Sequence, residues 1–223
     1  MYIVFEGIEG SGKSVQIKNV EKFFKKNNLT YHLTKEPGST VIGKEIRKIL
    51  LNSSFSEMSY LTEILLYFAD RAEHFEKVVE KFIKDVDVLL SDRSMYSTVV
   101  YQGFGRGIDM KLLNMLNKTV TRGLVPDYVF LFDCDVETGL NRALKREESK
   151  QTDETRFEKE AVEFHKKIRA GYLKLAEKQS NWIIINGNKS INEVRENVIA
   201  NLKRIMLESG LLSNPPIFYE EKF

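Results

Sequence analysis

Eight residues near the amino end, Gly7-Ile8-Glu9-Gly10-Ser11-Gly12-Lys13-Ser14, constrain this chain more tightly than any other stretch. They satisfy G-x-x-x-x-G-K-[ST], with the apolar run Tyr2–Phe5 leading directly into them and helical periodicity (Ile17, Val20, Phe24) following. Strand, glycine-rich turn and helix in that order is the setting in which the pattern grips phosphate. Glycines at 7, 10 and 12 let the backbone curl so that amides of residues 7–14 converge on phosphate oxygens. A helix opening near Lys13 adds the positive end of its dipole. Lys13 then reaches the β- and γ-phosphates and the Ser14 hydroxyl ligates Mg2+, so the stretch asks for a nucleoside triphosphate with its metal. GTPases, motors and kinases all share the motif, and other residues must decide among them.

Four more short runs, Tyr31–Thr34, Val86–Leu90, Tyr128–Phe132 and Trp182–Ile185, read as strands buried on both faces. Helix-length segments separate them. One carries Leu61, Ile64, Leu65, Phe68, Ala72, Phe75 and Val79 at three- to four-residue spacing, predicting a helix over about 58–83. Alternating strands and helices imply an α/β fold of the P-loop NTPase type, a five-stranded parallel sheet with helices on both faces. Ligands of such sheets bind beyond the carboxyl ends of the strands. No Pro/Gly-rich linker divides the chain, which predicts a single domain over 1–212 and an irregular tail at 213–223. The polar stretch Arg146–Glu154 reads as a mobile excursion between helices, within a lid at about 142–157.

Thirty-four basic and 32 acidic side chains give a formal charge of +2, which offers no electrostatic case for nucleic acid or an anionic membrane. No apolar run approaches the roughly 18 residues that span a bilayer. Met1–Phe5 lacks the basic start of a signal peptide, and Cys134 has no partner for a disulfide, so the expected compartment is the cytoplasm. His32, His74 and His165 are scattered without metal spacing, and His165 reads as packing or surface. Asn117-Lys118-Thr119-Val120 lacks the Asp of a guanine-reading motif, which argues against a GTPase switch.

Further motifs occur in a set order. They are Phe5-Glu6-Gly7, Thr34-Lys35-Glu36-Pro37-Gly38, Leu65-Leu66-Tyr67-Phe68-Ala69-Asp70-Arg71, Asp92-Arg93-Ser94, Ser97-Thr98, Tyr101-Gln102-Gly103 and Gly105-Arg106-Gly107-Ile108-Asp109. With the phosphate loop they resemble the thymidylate kinase family over about residues 1–205. The resemblance implies MgATP plus dTMP giving ADP plus dTDP, on the way to dTTP, in a homodimer built on helix faces. Alternatives of the same fold would phosphorylate dUMP, dCMP or a deoxynucleoside.

An arginine just after a strand, as Arg93 is, can make two parallel hydrogen bonds to a monophosphate. The resemblance gives Arg93 that role on the acceptor and puts Asp92 near Mg2+. Tyr67 and Arg71, four apart, share one helix face. The resemblance assigns Tyr67 to stacking on thymine and Arg71 to the base edge, while Tyr101 and Gln102 close the pocket at the sugar and base. By the same resemblance Glu9 meets the acceptor's 3′-hydroxyl, Glu36 and Pro37 shape the acceptor site, and Ser97 belongs to it. Arg142, Arg146 and Arg156 are the lid arginines, expected over the donor phosphates because Gly10 stands where one branch of the family carries an arginine. Asn186-Gly187-Asn188-Lys189 is expected beside the adenine. No general base is required, since the acceptor phosphate, with a second pKa of about 6, is already ionised.

Overall fold

The five apolar runs pair as one parallel sheet because each offers β-branched and aromatic side chains to both faces. A computed structural model describes the backbone of residues 1–150 and 155–213 and the side chains of 1–146 and 155–213. In chain order the elements are β1 (Tyr2–Glu6), α1 (Lys13–Lys26), β2 (Tyr31–Lys35), α2 (Val41–Leu51), α3 (Tyr60–His74), α4 (Glu80–Phe82), β3 (Val88–Asp92), α5 (Met95–Thr98), α6 (Met110–Val120), β4 (Tyr128–Asp133), α7 (Val136–Lys150), α8 (Val162–Ala176), β5 (Trp182–Asn186) and α9 (Ile191–Glu208). The sheet order is β2-β3-β1-β4-β5. Since β1 and β3 are direct neighbours, in register from Tyr2↔Leu89 to Phe5↔Asp92, the loops that leave their carboxyl ends emerge side by side. That adjacency positions the site.

Strand ends differ from expectation in one consistent way. Glu6, Lys35, Asp133 and Asn186 each extend a strand past its apolar run, because the ladder continues through Glu6↔Leu131, Lys35↔Asp92 and Asp133↔Asn186. Strand β3 starts at Val88 rather than 86. The Val86 amide still closes a helical turn onto the Phe82 carbonyl, and Asp87 exchanges hydrogen bonds with Thr30. The expected helix over 58–83 is interrupted by a π-helical turn at Phe75–Val79. A second π turn, Val99–Gly105, carries Tyr101 and Gln102. Helix α7 runs on through Lys150, where a polar excursion is expected from Arg146; a chain of helix formers without apolar anchors still propagates from a packed start. Residues 151–154 of that excursion and 214–223 of the expected tail lie outside the described residues.

Strand alternation divides the core. Ile3, Phe5, Phe130 and Phe132 face α1 and α9, packing on Val20, Phe24, Val198 and Leu202. Tyr2, Val4, Val129 and Leu131 face the opposite layer, where α8 contributes Phe164, Ile168 and Tyr172. Ile64 and Phe68 of α3 close on Leu113 of α6. Among the described residues no helix is long and apolar enough to cross a membrane.

The phosphate loop is clamped against the first turn of α7 by a contact only glycine permits. A Cβ on Gly139 would stand 2.6 Å from the Glu9 carbonyl oxygen and 3.2 Å from Cys134 Sγ. Gly10, at φ +66°, faces the Gly139 carbonyl more closely still. Gly139→Ala should therefore destabilise the fold by about 1–3 kcal/mol through overpacking, measured by urea denaturation.

Candidate active site

A cavity of about 800 Å3 opens above the carboxyl ends of β1 and β3, and most residues singled out in the sequence line it. Its floor is the phosphate loop from Glu9 to Ser14. Gly7 and Ile8 lie beneath, their carbonyls accepting from Lys13 Nζ at 2.8 and 2.9 Å, with Ser11 Oγ at 3.2 Å. Burial, then the nearby Arg93 charge, lower the Lys13 ammonium to about 8. Ser14 is exposed to the cavity, and Asp92 borders it from the end of β3.

Arg93 holds φ +71°, a left-handed conformation disfavoured for a side chain of this kind. Two bonds maintain it: its amide donates to the Phe5 carbonyl at 2.9 Å, and Ser91 Oγ donates to its carbonyl at 2.6 Å. The backbone turn aims the guanidinium back over the phosphate loop, where Nη2 donates to Glu9 Oε1 at 2.9 Å. Nη1 donates to Ser97 Oγ at 3.1 Å and to the Tyr172 hydroxyl at 3.3 Å. Tyr101 presents its ring 5.2 Å below the guanidinium carbon and its hydroxyl to the same Glu9 oxygen. Burial would raise the Glu9 carboxyl, yet His165, Arg93 and Tyr101 together hold it well below the usual range.

Three residues of this network escape a reading of the sequence. Glu6 is fully buried and accepts from the Ser94 amide (2.9 Å), Ser97 Oγ (2.7 Å) and the Tyr172 hydroxyl (2.8 Å), with burial raising its carboxyl. Tyr172 comes from α8, remote in sequence. His165, expected as packing or surface, is fully buried with Nδ1 3.6 Å from Glu9 Oε2. For Tyr172 and His165 the sequence carries no such signal; Glu6 is marked only by its place in Phe5-Glu6-Gly7, a polar residue at the end of an apolar strand, with no role attached.

At the other end of the cavity Glu36 pairs with Arg71 Nε at 2.8 Å and His74 Nδ1 at 2.8 Å. Tyr67 and Arg71 both line the cavity, as their spacing implies. Arg71 is held more firmly than a base-edge role suggests. It also donates to Asn117 Oδ1 (3.0 Å), Thr98 Oγ1 (2.8 Å) and the Ser94 carbonyl (3.3 Å), which engages four of its five N–H groups. Pro37, Ser97 and Gln102 complete the lining on this side.

Arg142 and Arg146, one turn apart on α7, border the phosphate-loop end. Arg142 Nη1 donates to the Gly187 carbonyl at 2.9 Å, which brings the segment after β5 into the wall, and Arg146 pairs with Glu158 at 3.4 Å. Arg156 departs from expectation. It does not line the cavity but lies buried, with Nη2 2.6 Å from Glu63 Oε2 and Nη1 on the Leu50 carbonyl at 3.1 Å. The reason is charge: Glu63 has no solvent exposure, and a carboxylate so placed requires a cation against it.

The thymidylate kinase family model matches residues 5–198 of the chain. The thymidylate kinase of Maridesulfovibrio salexigens is 42% identical over 217 residues, covering 94% of this chain and 100% of its own length. That of Geotalea daltonii is 44% identical over 197 residues, covering 87% and 92%. Among solved structures, a thymidylate kinase from Ehrlichia chaffeensis superposes with a TM-score of 0.72 at 30% identity, covering 91% of this chain and 98% of that one.

The Glu36 cluster makes stability depend on pH. Burial opposes ionisation, but Arg71 and His74 outweigh it and hold the carboxyl at about 2. A carboxyl depressed on folding stabilises above its unfolded pKa and loses that contribution as pH falls through the folded one. Stability should therefore drop by about 3 kcal/mol from this group between roughly pH 4.5 and 2. Glu36→Gln should start less stable and show a flatter profile over that interval, as urea titrations at stepped pH would record.

Proposed function

The chain belongs to the thymidylate kinase family, and from that premise we propose that it phosphorylates dTMP to dTDP with ATP as donor, using Lys13 and Arg93 as its two phosphate-holding cations. The observation that carries the reading is the position of Arg93: a guanidinium aimed over the phosphate loop, bonded at 2.9 Å to a residue of that loop. A triphosphate cradled by residues 7–14 and a monophosphate on Arg93 then share one cavity, with the acceptor oxygen in reach of the γ-phosphorus.

Catalysis of phosphoryl transfer is positioning and charge neutralisation. Lys13 exchanges its loop carbonyls for the β- and γ-phosphates. Arg93 passes from Glu9 to the acceptor anion, which frees the Glu9 carboxylate to meet the sugar. Tyr67 stacks on the base, Tyr101 crowds the sugar, and Glu36, Pro37, Arg71, Ser97 and Gln102 frame the acceptor. Arg142 and Arg146 approach the donor from α7, and Arg156 anchors the segment behind them rather than reaching the phosphates. Mg2+ fits the donor set, since this ion favours one or two protein oxygens with phosphates and waters over a full protein cage. Ser14 and Asp92 would hold it, and when bound it supplies neutralising charge on the phosphates. The kinase unit is 1–212 with a lid at about 142–157.

The same reading includes a homodimer. Helices α2 and α3 present Val41 (82% exposed), Ile42, Leu61 and Leu65 outward, apolar residues whose covering by a second copy would remove them from water. A cytoplasmic location fits the lone free thiol, Cys134.

An ADP-release assay across dTMP, dUMP, dCMP and thymidine tests the acceptor; dTMP should be used most efficiently, and its failure as a substrate ends the reading. Lys13→Ala should lower turnover about a thousandfold or more while dTMP still binds. Burial and the Arg93 charge lower the Lys13 ammonium to about 8 and only its charged form holds phosphate, so kcat/KM for ATP should fall as pH rises above that value, approaching about tenfold per unit. Light scattering should give twice the chain mass, and Leu65→Asp should shift it toward the monomer.

A further inference from the structure

Glu63 lies on α3 without solvent exposure, and three side chains converge on its carboxylate. Arg156 Nη2 is 2.6 Å from Oε2, Arg106 Nη2 is 3.5 Å from the same oxygen, and Gln102 Nε2 donates to Oε1 at 2.8 Å. A carboxylate paired with two guanidiniums accepts hydrogen bonds and cannot donate them. Gln102 must therefore turn its NH2 toward Glu63 and its carbonyl oxygen away; the opposite orientation would set two oxygens face to face. Gln102 lines the substrate cavity beside Thr98 and Tyr101, and among the described residues no donor reaches its carbonyl oxygen.

We propose that Glu63 determines base specificity by fixing the Gln102 amide with its carbonyl toward the acceptor base, so that the site takes pyrimidines presenting an N3–H donor and rejects those presenting a bare N3. Thymine and uracil carry that proton; cytosine and 5-methylcytosine carry a lone pair at the same atom. Against a fixed carbonyl, the lone pair at N3 meets another lone pair, and the hydrogen bond that an N3–H would make there is lost. A site built to hydrogen-bond one group discriminates strongly against an analogue that cannot supply it. Glu63 touches no substrate. It is a positioning residue acting through Gln102, and the inference rests on the dTMP reading above.

The test compares kcat/KM for dTMP with that for 5-methyl-dCMP, which keeps the sugar, phosphate and 5-methyl group and differs only at N3 and C4. The wild-type protein should prefer dTMP by about 100-fold or more. Glu63→Asp keeps the charge that Arg106 and Arg156 need but draws it one methylene away from Gln102. It should narrow the preference at least about tenfold, mainly through a raised KM for dTMP. Gln102→Leu should narrow it similarly, and adding Glu63→Asp to that variant should narrow it no further. Equal use of both acceptors by the wild type, an unchanged ratio in Gln102→Leu, or an unchanged ratio in a Glu63→Asp protein that melts cooperatively would each overturn the inference. If Glu63→Asp does not fold, Glu63→Gln replaces it, since its amide can offer either an oxygen or an N–H to Gln102 and so releases the fixed orientation; an unchanged ratio in that variant overturns the inference in the same way. A wild-type protein that phosphorylates neither acceptor instead refutes the kinase reading, which keeps the two failures apart.

Discussion

One buried carboxylate holds the two halves of the site together. Glu6 ends β1, immediately before the phosphate loop, and accepts from Ser94, Ser97 and Tyr172, so the segment after β3 is fastened to the segment after β1. The ladder register ends at Phe5↔Asp92, with one more backbone bond from the Arg93 amide to the Phe5 carbonyl, and Glu6 adds side-chain bonds beyond it that tie Ser94 and Ser97 to the end of β1. The left-handed backbone at Arg93 is tolerable for the same reason: the surrounding bonds over-determine it.

Around this fastening the cavity wall is organised by paired charges at differing depths. Glu9 holds Arg93, Glu36 holds Arg71 and His74, and Glu63 holds Arg106 and Arg156. The pairs differ in what a ligand can do to them. Arg93 lies at the cavity with its partner on the phosphate loop, so an arriving anion competes with Glu9 for it. Arg71 and Arg156 are each fixed by several buried protein groups, Arg71 by Glu36, Asn117, Thr98 and Ser94 and Arg156 by Glu63 and the Leu50 carbonyl. They shape the wall and hold it rigid. Leaving Glu36 or Glu63 without its cation would be strongly destabilising.

Much of this was legible beforehand, and the reasons are local. The phosphate loop is read from consecutive residues whose glycines, lysine and serine act within one turn of chain. Strands announce themselves by apolar runs, although their polar last residues do not, because ladder pairing depends on the neighbouring strand. The i,i+4 spacing of Tyr67 and Arg71 places both on the cavity. Other placements depend on contacts far apart in sequence. Arg156 reads as a lid arginine until Glu63, 93 residues away, is seen to require its charge. His165 reads as packing until its helix is laid beside Glu9.

By itself the sequence determined the triphosphate cradle, the alternating architecture and the set of polar residues available to an acceptor, since each follows from short-range pattern. Only the tertiary structure decided how those residues are partnered: which guanidinium faces the cavity, which is locked behind it, and which way an amide points. A charge in a low-dielectric interior takes its behaviour from whatever lies within a few ångströms, and those neighbours come from strands and helices that the chain brings together only on folding.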